Sequence, residues 1–131
     1  MSIDHGATLI LRAGCPGDIA RAAALLGRWP VIPAAGRLMV LADVAADDAA
    51  MVRATAVVRP TDAIWVVDLA AIDDRWPPVA AALVSQLCAA AAATGAVRVS
   101  FAPAAAGPLA DTLLASSSAT LCAGGWVLVD V

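Results

Sequence analysis

The sequence predicts an α/β protein built on a mixed sheet, with its elements in the order β-α-β-β-β-α-β-α-β. Three observations lead to this fold class. Short apolar runs of strand length alternate with longer helical stretches, and two neighbouring runs near the front are joined as an antiparallel hairpin. A nearly continuous apolar run over 64–71 is then followed by a helix and another strand, the pattern of a parallel crossover. A closed barrel or a helical bundle would need a different order of strands and helices. We expect residues 1–131 to form a single domain.

The strands are predicted from apolar runs and from alternation with a period of two. In the second strand of the hairpin, Val52, Ala54 and Val58 alternate with Arg53 and Thr55, which indicates one buried face. The run over 64–71 is apolar on both faces and is expected to be central. The predicted strands cover residues 8–11, 37–42, 51–58, 64–71, 97–101 and 126–131.

Three helices are predicted from start and stop signals. The first begins after Cys15, with Pro16 in its first turn and Asp18 near the positive end of its dipole, and stops at Gly27. The second runs from Val79 and ends at residues 94–95, with an apolar stripe that packs on the sheet. A third, shorter helix is predicted over residues 108–115.

The charge and composition exclude several classes of function. The chain has a net charge of −3 and is 62% hydrophobic, and it contains no Lys, Glu, Tyr or Asn. Its eight Arg residues are scattered, so we expect no nucleic-acid partner. Acid–base chemistry is restricted to Asp, Cys and the single His5.

Cysteine usage and hydropathy bear on location and on metals. Cys15, Cys88 and Cys122 are widely spaced, form no CxxC pair and lie near no His, which favours reduced thiols in a cytoplasmic protein and no metal site. The uncharged stretch over 76–97 is long enough to cross a bilayer, but it is mainly Ala and carries Gln86 and two prolines. We therefore expect a buried helix and no membrane span.

The order of elements resembles that of the GNAT superfamily of N-acetyltransferases over nearly the whole chain. The resemblance lies in this order more than in any motif. The segments that carry it are TLILRAGCPGDIARAAALL, RLMVLADVAADDAAMVRATAVVRP, IWVVDLAAIDD, PPVAAALVSQLCAAAAATGAVRVSF and PLADTLLASSSATLCAGGWVLVDV.

This resemblance implies an acetyl-CoA site where the fourth strand separates from the fifth. In the family, exposed strand backbone pairs with the pantetheine arm. A loop of pattern Arg/Gln-x-x-Gly-x-Gly/Ala aims backbone N–H groups at the pyrophosphate, next to a helix N-terminus. The implied cofactor-binding residues are Leu69, Ala70, Ala71, Arg75, Trp76, Val79 and Ala80.

Asp68 corresponds to the carboxylate that the family often uses as a base. It lies in an otherwise apolar strand, where loss of solvent would raise its pKa towards a useful range. The alternative is a structural carboxylate that bonds to backbone or to an Arg where the strands separate. The sequence leaves both possibilities open.

The loop after this strand departs from the family pattern. Pro77 and Pro78 have no N–H to offer a pyrophosphate, and Trp76 adds bulk where backbone must approach closely. Asp73 and Asp74 place negative charge beside a site for a polyanion. Such a stretch can equally begin a helix without binding anything.

The family's usual acid is also missing. Where the family has a Tyr on its last helix, this chain has Leu114, and it contains no Tyr elsewhere. Three functions follow as hypotheses. The first is a GNAT-like domain with a degraded acetyl-CoA site, a pseudoenzyme that binds a protein partner or a ligand. The second is an active acyl-CoA-dependent N-acetyltransferase with Asp68 as base, and the third is a structural subunit of an oligomer.

Overall fold

The computed structural model describes residues 9–43, 51–75 and 78–131. Its elements follow the predicted order except near the C-terminus. The strands are β1 (Leu9–Ala13), β2 (Arg37–Asp43), β3 (Val52–Arg59), β4 (Ile64–Ile72), β5 (Arg98–Phe101), β6 (Ala119–Leu121) and β7 (Val127–Asp130). The helices are α1 (Ile19–Leu26), α2 (Val79–Ala93), α3 (Pro103–Ala106) and α4 (Ala110–Leu114).

All seven strands form one sheet in the order β1-β2-β3-β4-β5-β7-β6. Neighbouring strands are antiparallel except for β4 and β5, which are parallel and are connected through α2. The predicted mixed α/β fold class is confirmed, together with the front hairpin and the central position of β4.

The sheet is covered by helices on both faces. On one face, Ala22 of α1 packs on Leu38 and Val57, and on the other the buried side of α2 contacts a larger core that includes Val67 and Phe101. Helix α1 ends at Gly27, whose φ of 74° lies in the left-handed region that favours glycine. The predicted stop at this residue is confirmed.

A short 3₁₀ turn, Pro16–Asp18, precedes α1. The Asp18 carboxylate accepts two hydrogen bonds from the Arg12 guanidinium, at 2.7 and 3.1 Å, and one from the Cys15 amide at 2.9 Å. The hydrogen bond from Arg12 is the main reason that the pKa of Asp18 lies far below its usual range. The acidic residue at the helix start therefore also attaches the helix to β1.

The outer edge of β1 is closed by a side chain from α2. The Gln86 amide accepts a hydrogen bond from the Leu11 N–H at 2.7 Å and donates one to the Leu9 carbonyl at 2.6 Å. These are the bonds that a further strand would make, so Gln86 takes the place of a strand at this edge.

The C-terminal third differs from the prediction in two ways. The helix expected over 108–115 is present as α4, Ala110–Leu114, and a further short helix, α3, precedes it. Pro108 lies between the two, and it lacks the N–H that a continuous helix would require. Before the predicted last strand, the structure has a further short strand, β6, which pairs with β7 through a turn where Gly124 and Gly125 both have positive φ. The loop that joins the two strands of the predicted hairpin lies almost wholly outside the described residues.

In the part of the chain that the structure describes, no helix has the length and apolar character needed to cross a membrane.

Candidate functional site

Strands β4 and β5 separate halfway along β4. Their pairing runs from Ile64 with Arg98 to Val67 with Phe101, and the Ala102 amide then donates to the Val67 carbonyl at 2.9 Å. Beyond this point the chain turns into α3, so the second half of β4 has no strand on that side. The sheet thus opens where the resemblance places a cofactor.

A bulge interrupts β4 at the same place. On the neighbouring strand, Val57 faces Leu69 and Val58 faces Val67, which leaves Asp68 without a partner in the register. Val67 and Ala70 both pack in the larger core although they are three residues apart. A bulge turns a side chain out of the regular alternation, and Asp68 is the side chain concerned.

Asp68 forms an ion pair with Arg59 of β3. The Arg59 Nε donates to one carboxylate oxygen at 2.7 Å and an Nη donates to the other at 2.9 Å. These hydrogen bonds raise the pKa of Arg59 above its ordinary value. A contact with an Arg is what the structural alternative for Asp68 predicted.

The backbone expected to meet a pantetheine arm is largely covered. Ala70 and Ala71 are only 3% and 7% exposed. Helix α3 packs against β4, and its Ala105 and Ala106 belong to the same buried cluster as Ala70. Leu69 is half-buried and packs on the α1 face.

Arg75, which the resemblance assigns to the cofactor, is engaged within its own loop. Its Nε and an Nη donate to the two oxygens of Asp73 at 2.9 and 2.8 Å. The Asp73 carboxylate is buried and also accepts a hydrogen bond from Arg21 of α1 at 3.1 Å, while Arg53 of β3 lies 3.9 Å away. The negative charge of Asp73 is therefore compensated by three nearby guanidinium groups.

The same contacts set the ionisation of the pair. The hydrogen bonds from Arg75 are the largest reason that the pKa of Asp73 lies far below its usual range, and they outweigh the opposing effect of burial. The pKa of Arg75 is raised in turn. Asp73 joins α1, β3 and the loop after β4, so its role in this arrangement is structural.

The start of α2 is described from Pro78 onwards. Trp76 and Pro77 lie outside the described residues. Pro78 stands at the N-cap and forms no side-chain capping bond. Val79 is fully buried in the core, and Ala80 is half-buried. Among the described residues implied for the pyrophosphate, Arg75 donates to Asp73 and Ala80 borders a cavity, which is described next.

A cavity of about 210 Å³ lies between the end of β4, the first turn of α2 and α4. Two exposed carboxylates, Asp74 and Asp111, are part of its wall, and Thr112 adds a hydroxyl. Like charges repel over a few ångströms, so this wall opposes a diphosphate. The other lining residues are Ile72, Ala80, Pro108 and Leu109.

Several of these residues were not predicted from the sequence. Asp111 and Thr112 lie within the predicted third helix, but only the folded chain brings them beside Asp74 and Ala80. Arg59 is recognisable as a partner of Asp68 only once the β3–β4 register is known. Leu114, at the expected Tyr position, has an exposed side chain with no group that can donate a proton. Among the described residues, no three or more His, Cys, Asp or Glu side chains are grouped so that they could hold a metal ion.

An open mixed sheet with a parallel pair that separates at its centre defines a class of acyltransferase-like folds, and solved structures identify which one. Ard1 from Thermoplasma volcanium superposes with a TM-score of 0.67 at 13% identity, covering 94% of this chain and 97% of that one. YhhK from E. coli, solved bound to coenzyme A, gives 0.65 at 12% identity, covering 93% and 97%.

A protein from Desulfovibrio desulfuricans assigned to the GNAT family gives a TM-score of 0.59 at 9% identity, covering 95% of this chain and 98% of that one. This chain therefore has the GNAT fold, as the sequence predicted. At such identities the likeness establishes the fold and not the activity. No protein-family model and no curated protein matches the sequence.

Proposed function

We propose that this protein is a binding domain built on the GNAT fold, with an acetyl-CoA site that has degraded and no longer supports acetyl transfer. The observation that carries the proposal is the cavity beside the separated strands, where Asp74 and Asp111 place negative charge and a diphosphate would need positive charge. The covered backbone of Ala70 and Ala71 supports it. The proposed activity is the binding of a protein partner or of a ligand other than the cofactor. The proposed location is the cytoplasm, on the basis of cysteine usage.

The two arginines nearest to the proposed chemistry are engaged elsewhere. Arg75 would have to leave Asp73 to reach a pyrophosphate, and Arg59 holds both oxygens of the carboxylate proposed as a base. Breaking a charge-assisted hydrogen bond costs more than breaking a neutral one. The residues present therefore do not fit the cofactor that the fold family uses.

Acetyl-CoA titration with measurement of the melting temperature tests the proposal. A ligand that binds only the folded state stabilises it by RT ln(1 + [L]/Kd), about 2.7 kcal/mol at a hundredfold excess over Kd. We expect no upward shift at millimolar acetyl-CoA. A shift that grows with concentration would overturn the proposal.

Removing the two carboxylates of the cavity adds a variant in which tighter binding of acetyl-CoA is expected. If the two carboxylates exclude the diphosphate, the double variant Asp74→Asn/Asp111→Asn binds acetyl-CoA more tightly than the wild type. The variant Asp62→Asn removes an exposed carboxylate in the turn before β4 and serves as the control, because Asp62 does not line the cavity. No gain in the double variant would show that charge is not the obstacle.

An active N-acetyltransferase with Asp68 as base is the second candidate. One observation favours it: the bulge sets Asp68 apart at the point where β4 leaves β5. On this hypothesis Asp68→Asn abolishes turnover, whereas Pro78→Gly preserves or improves acetyl-CoA binding. An acetyl-CoA-dependent acetylation that survives Asp68→Asn would exclude this role for the carboxylate.

A further inference from the structure

The two edges of the sheet are built differently. At the β1 edge, Gln86 occupies backbone groups of Leu9 and Leu11, and the strand carries the charged Arg12. At the other edge, β6 has β7 on one side and, among the described strands, no neighbour on the other. Proteins normally protect a free edge with charge, proline or a covering element, because its unpaired backbone can bind another chain.

Backbone hydrogen bonds show which groups of β6 face outward. The Cys122 amide donates to the Trp126 carbonyl at 2.8 Å and the Asp130 amide donates to the Ser118 carbonyl at 3.1 Å, so even-numbered residues pair with β7. In an antiparallel pair the alternate residues direct their backbone to the opposite side. The odd-numbered Ala119 and Leu121 therefore present theirs to the outer edge.

The outward groups can be counted one by one. The Ala119 amide already donates to the Ser116 carbonyl at 3.3 Å. This leaves the Ala119 and Leu121 carbonyls as acceptors and the Leu121 amide as a donor on the same edge. A second strand of the same sequence, running antiparallel, offers the complementary donor and acceptor at matching positions.

The surroundings of this edge are apolar and uncharged. Residues 112–129 contain no Asp, Glu, Lys or Arg. The Leu121 side chain is 66% exposed, and beside it lies an apolar groove of about 290 Å³ whose wall includes Leu113, Leu114 and Val127. Two copies, each with a net charge of −3, can approach here without bringing charges into contact.

We propose that a second copy of this chain binds the outer edge of β6, so that two sheets join into one across a two-fold axis at Thr120. Each Leu121 amide donates to the partner's Ala119 carbonyl. The two Leu121 side chains lie on the same face as diagonal neighbours, about 7–8 Å apart at their backbones, and bring the two grooves together. Such an interface is isologous: the same surface serves both copies.

Molar mass in solution tests the proposal. Light scattering on a size-exclusion column is expected to give twice the chain mass of 13.1 kDa for the wild type. Leu121→Arg places two like charges across the axis and is expected to give the single mass. Ile10→Arg is the matched control, because Ile10 is also an exposed apolar side chain, 43% exposed, on the edge strand that Gln86 closes, and it is expected to stay dimeric.

A wild type that is monomeric at the highest soluble concentration would overturn the proposal, and so would a dimer unchanged by Leu121→Arg. Circular dichroism checks that each variant is folded. If this edge binds a different protein, the purified wild type is a monomer, and that result counts against a second copy.

Crosslinking keeps the proposal testable if Leu121→Arg fails to fold. Two strands paired about Thr120 place this residue opposite itself in a non-hydrogen-bonded position, with Cα atoms about 4.5 Å apart, which suits a disulfide. In a chain with Cys15→Ser and Cys122→Ser, Thr120→Cys is expected to form a covalent dimer on mild oxidation. Ser117 is exposed but lies off the axis, so the Ser117→Cys variant is expected to run as a monomer in non-reducing denaturing electrophoresis. Equal crosslinking of both variants, or of neither, would contradict the proposed register.

Discussion

Arg75 folds back onto Asp73, and two of its side-chain nitrogens lie 2.9 and 2.8 Å from the two oxygens of that carboxylate. A residue that the sequence offered as a ligand for a cofactor thus stabilises its own loop. The carboxylate also holds Arg21 of α1, 52 positions earlier in the chain. The loop between β4 and α2 is therefore tied to the opposite face of the sheet.

Asp73→Asn is expected to lower the free energy of unfolding at neutral pH by roughly 2 kcal/mol, because hydrogen bonds between charged groups contribute about 1.5–3 kcal/mol. Urea unfolding measures the change. Asp74→Asn is the control. Asp74 is the exposed neighbour of Asp73, and its substitution is expected to change stability by less than about 0.5 kcal/mol. Equal effects of the two substitutions would contradict the role given to Asp73.

The pH dependence of stability follows from the same carboxylate. Its pKa is lowered in the folded state, so its contribution is fully present above the unfolded value of about 3.9 and is lost as the pH falls below it. Urea unfolding from neutral pH down to about pH 3 should show a smaller loss in Asp73→Asn than in the wild type. Asp18 has a lowered pKa for a similar reason and accounts for part of the remaining slope.

Asp68→Asn is expected to destabilise the protein more than Asp130→Asn. Asp68 accepts two hydrogen bonds from Arg59 and its side chain is 25% exposed, whereas Asp130 accepts one from Arg98 and is 65% exposed. Both effects should shrink in high salt, because exposed ion pairs are screened. Urea unfolding midpoints at low and high salt measure these effects. A larger destabilisation by Asp130→Asn than by Asp68→Asn would show that the two hydrogen bonds to Asp68 do not matter.

Gln86→Ala is expected to destabilise the protein by about 2 kcal/mol, since it removes two hydrogen bonds of about 1 kcal/mol each from the edge of β1. Ser85→Ala, on the exposed side of the same helix, is expected to change stability by less than about 0.5 kcal/mol. Urea unfolding of both variants distinguishes the edge contact from a general effect on α2. A neutral Gln86→Ala would mean that the edge needs no cover.

Gly27→Ala is expected to cost about 1 kcal/mol, because a side chain there must adopt the left-handed conformation. Gly17→Ala is a close control. A Cβ at either position meets no atom within 4 Å, but Gly17 has no positive φ. The control is expected to be neutral or stabilising by about 0.5 kcal/mol, through the lower entropy of the unfolded chain. Thermal unfolding of the two variants isolates the backbone effect.

The parts of the fold that the sequence predicted are those governed by local pattern. The alternation around Val52 and the apolar run of β4 reflect burial on one or two faces of a sheet, and Gly27 reflects a local backbone requirement. Helix α4 lies within the range predicted for the third helix, whereas α3, only four residues long, carries too little pattern to be predicted. Strand β6, only three residues long, carries too little pattern to be recognised alone.

The site was less predictable because its contacts join distant parts of the chain. Asp68 could be identified as unusual from its apolar neighbours, but its partner Arg59 depends on a bulge in the β3–β4 register. The partners of Asp73 come from α1, β3 and its own loop. No local pattern indicates that three arginines converge on one carboxylate.

Strand β7 lies inside the sheet between β5 and β6, although it follows both along the chain. During synthesis, β6 leaves the ribosome before the only strand that it pairs with in the described sheet. Residues 119–121 must therefore wait for Val127–Asp130 before they can join the fold. The free edge of the sheet is therefore completed after the strands β1 to β5, and until then the unpaired β6 is a segment through which incomplete chains can associate wrongly.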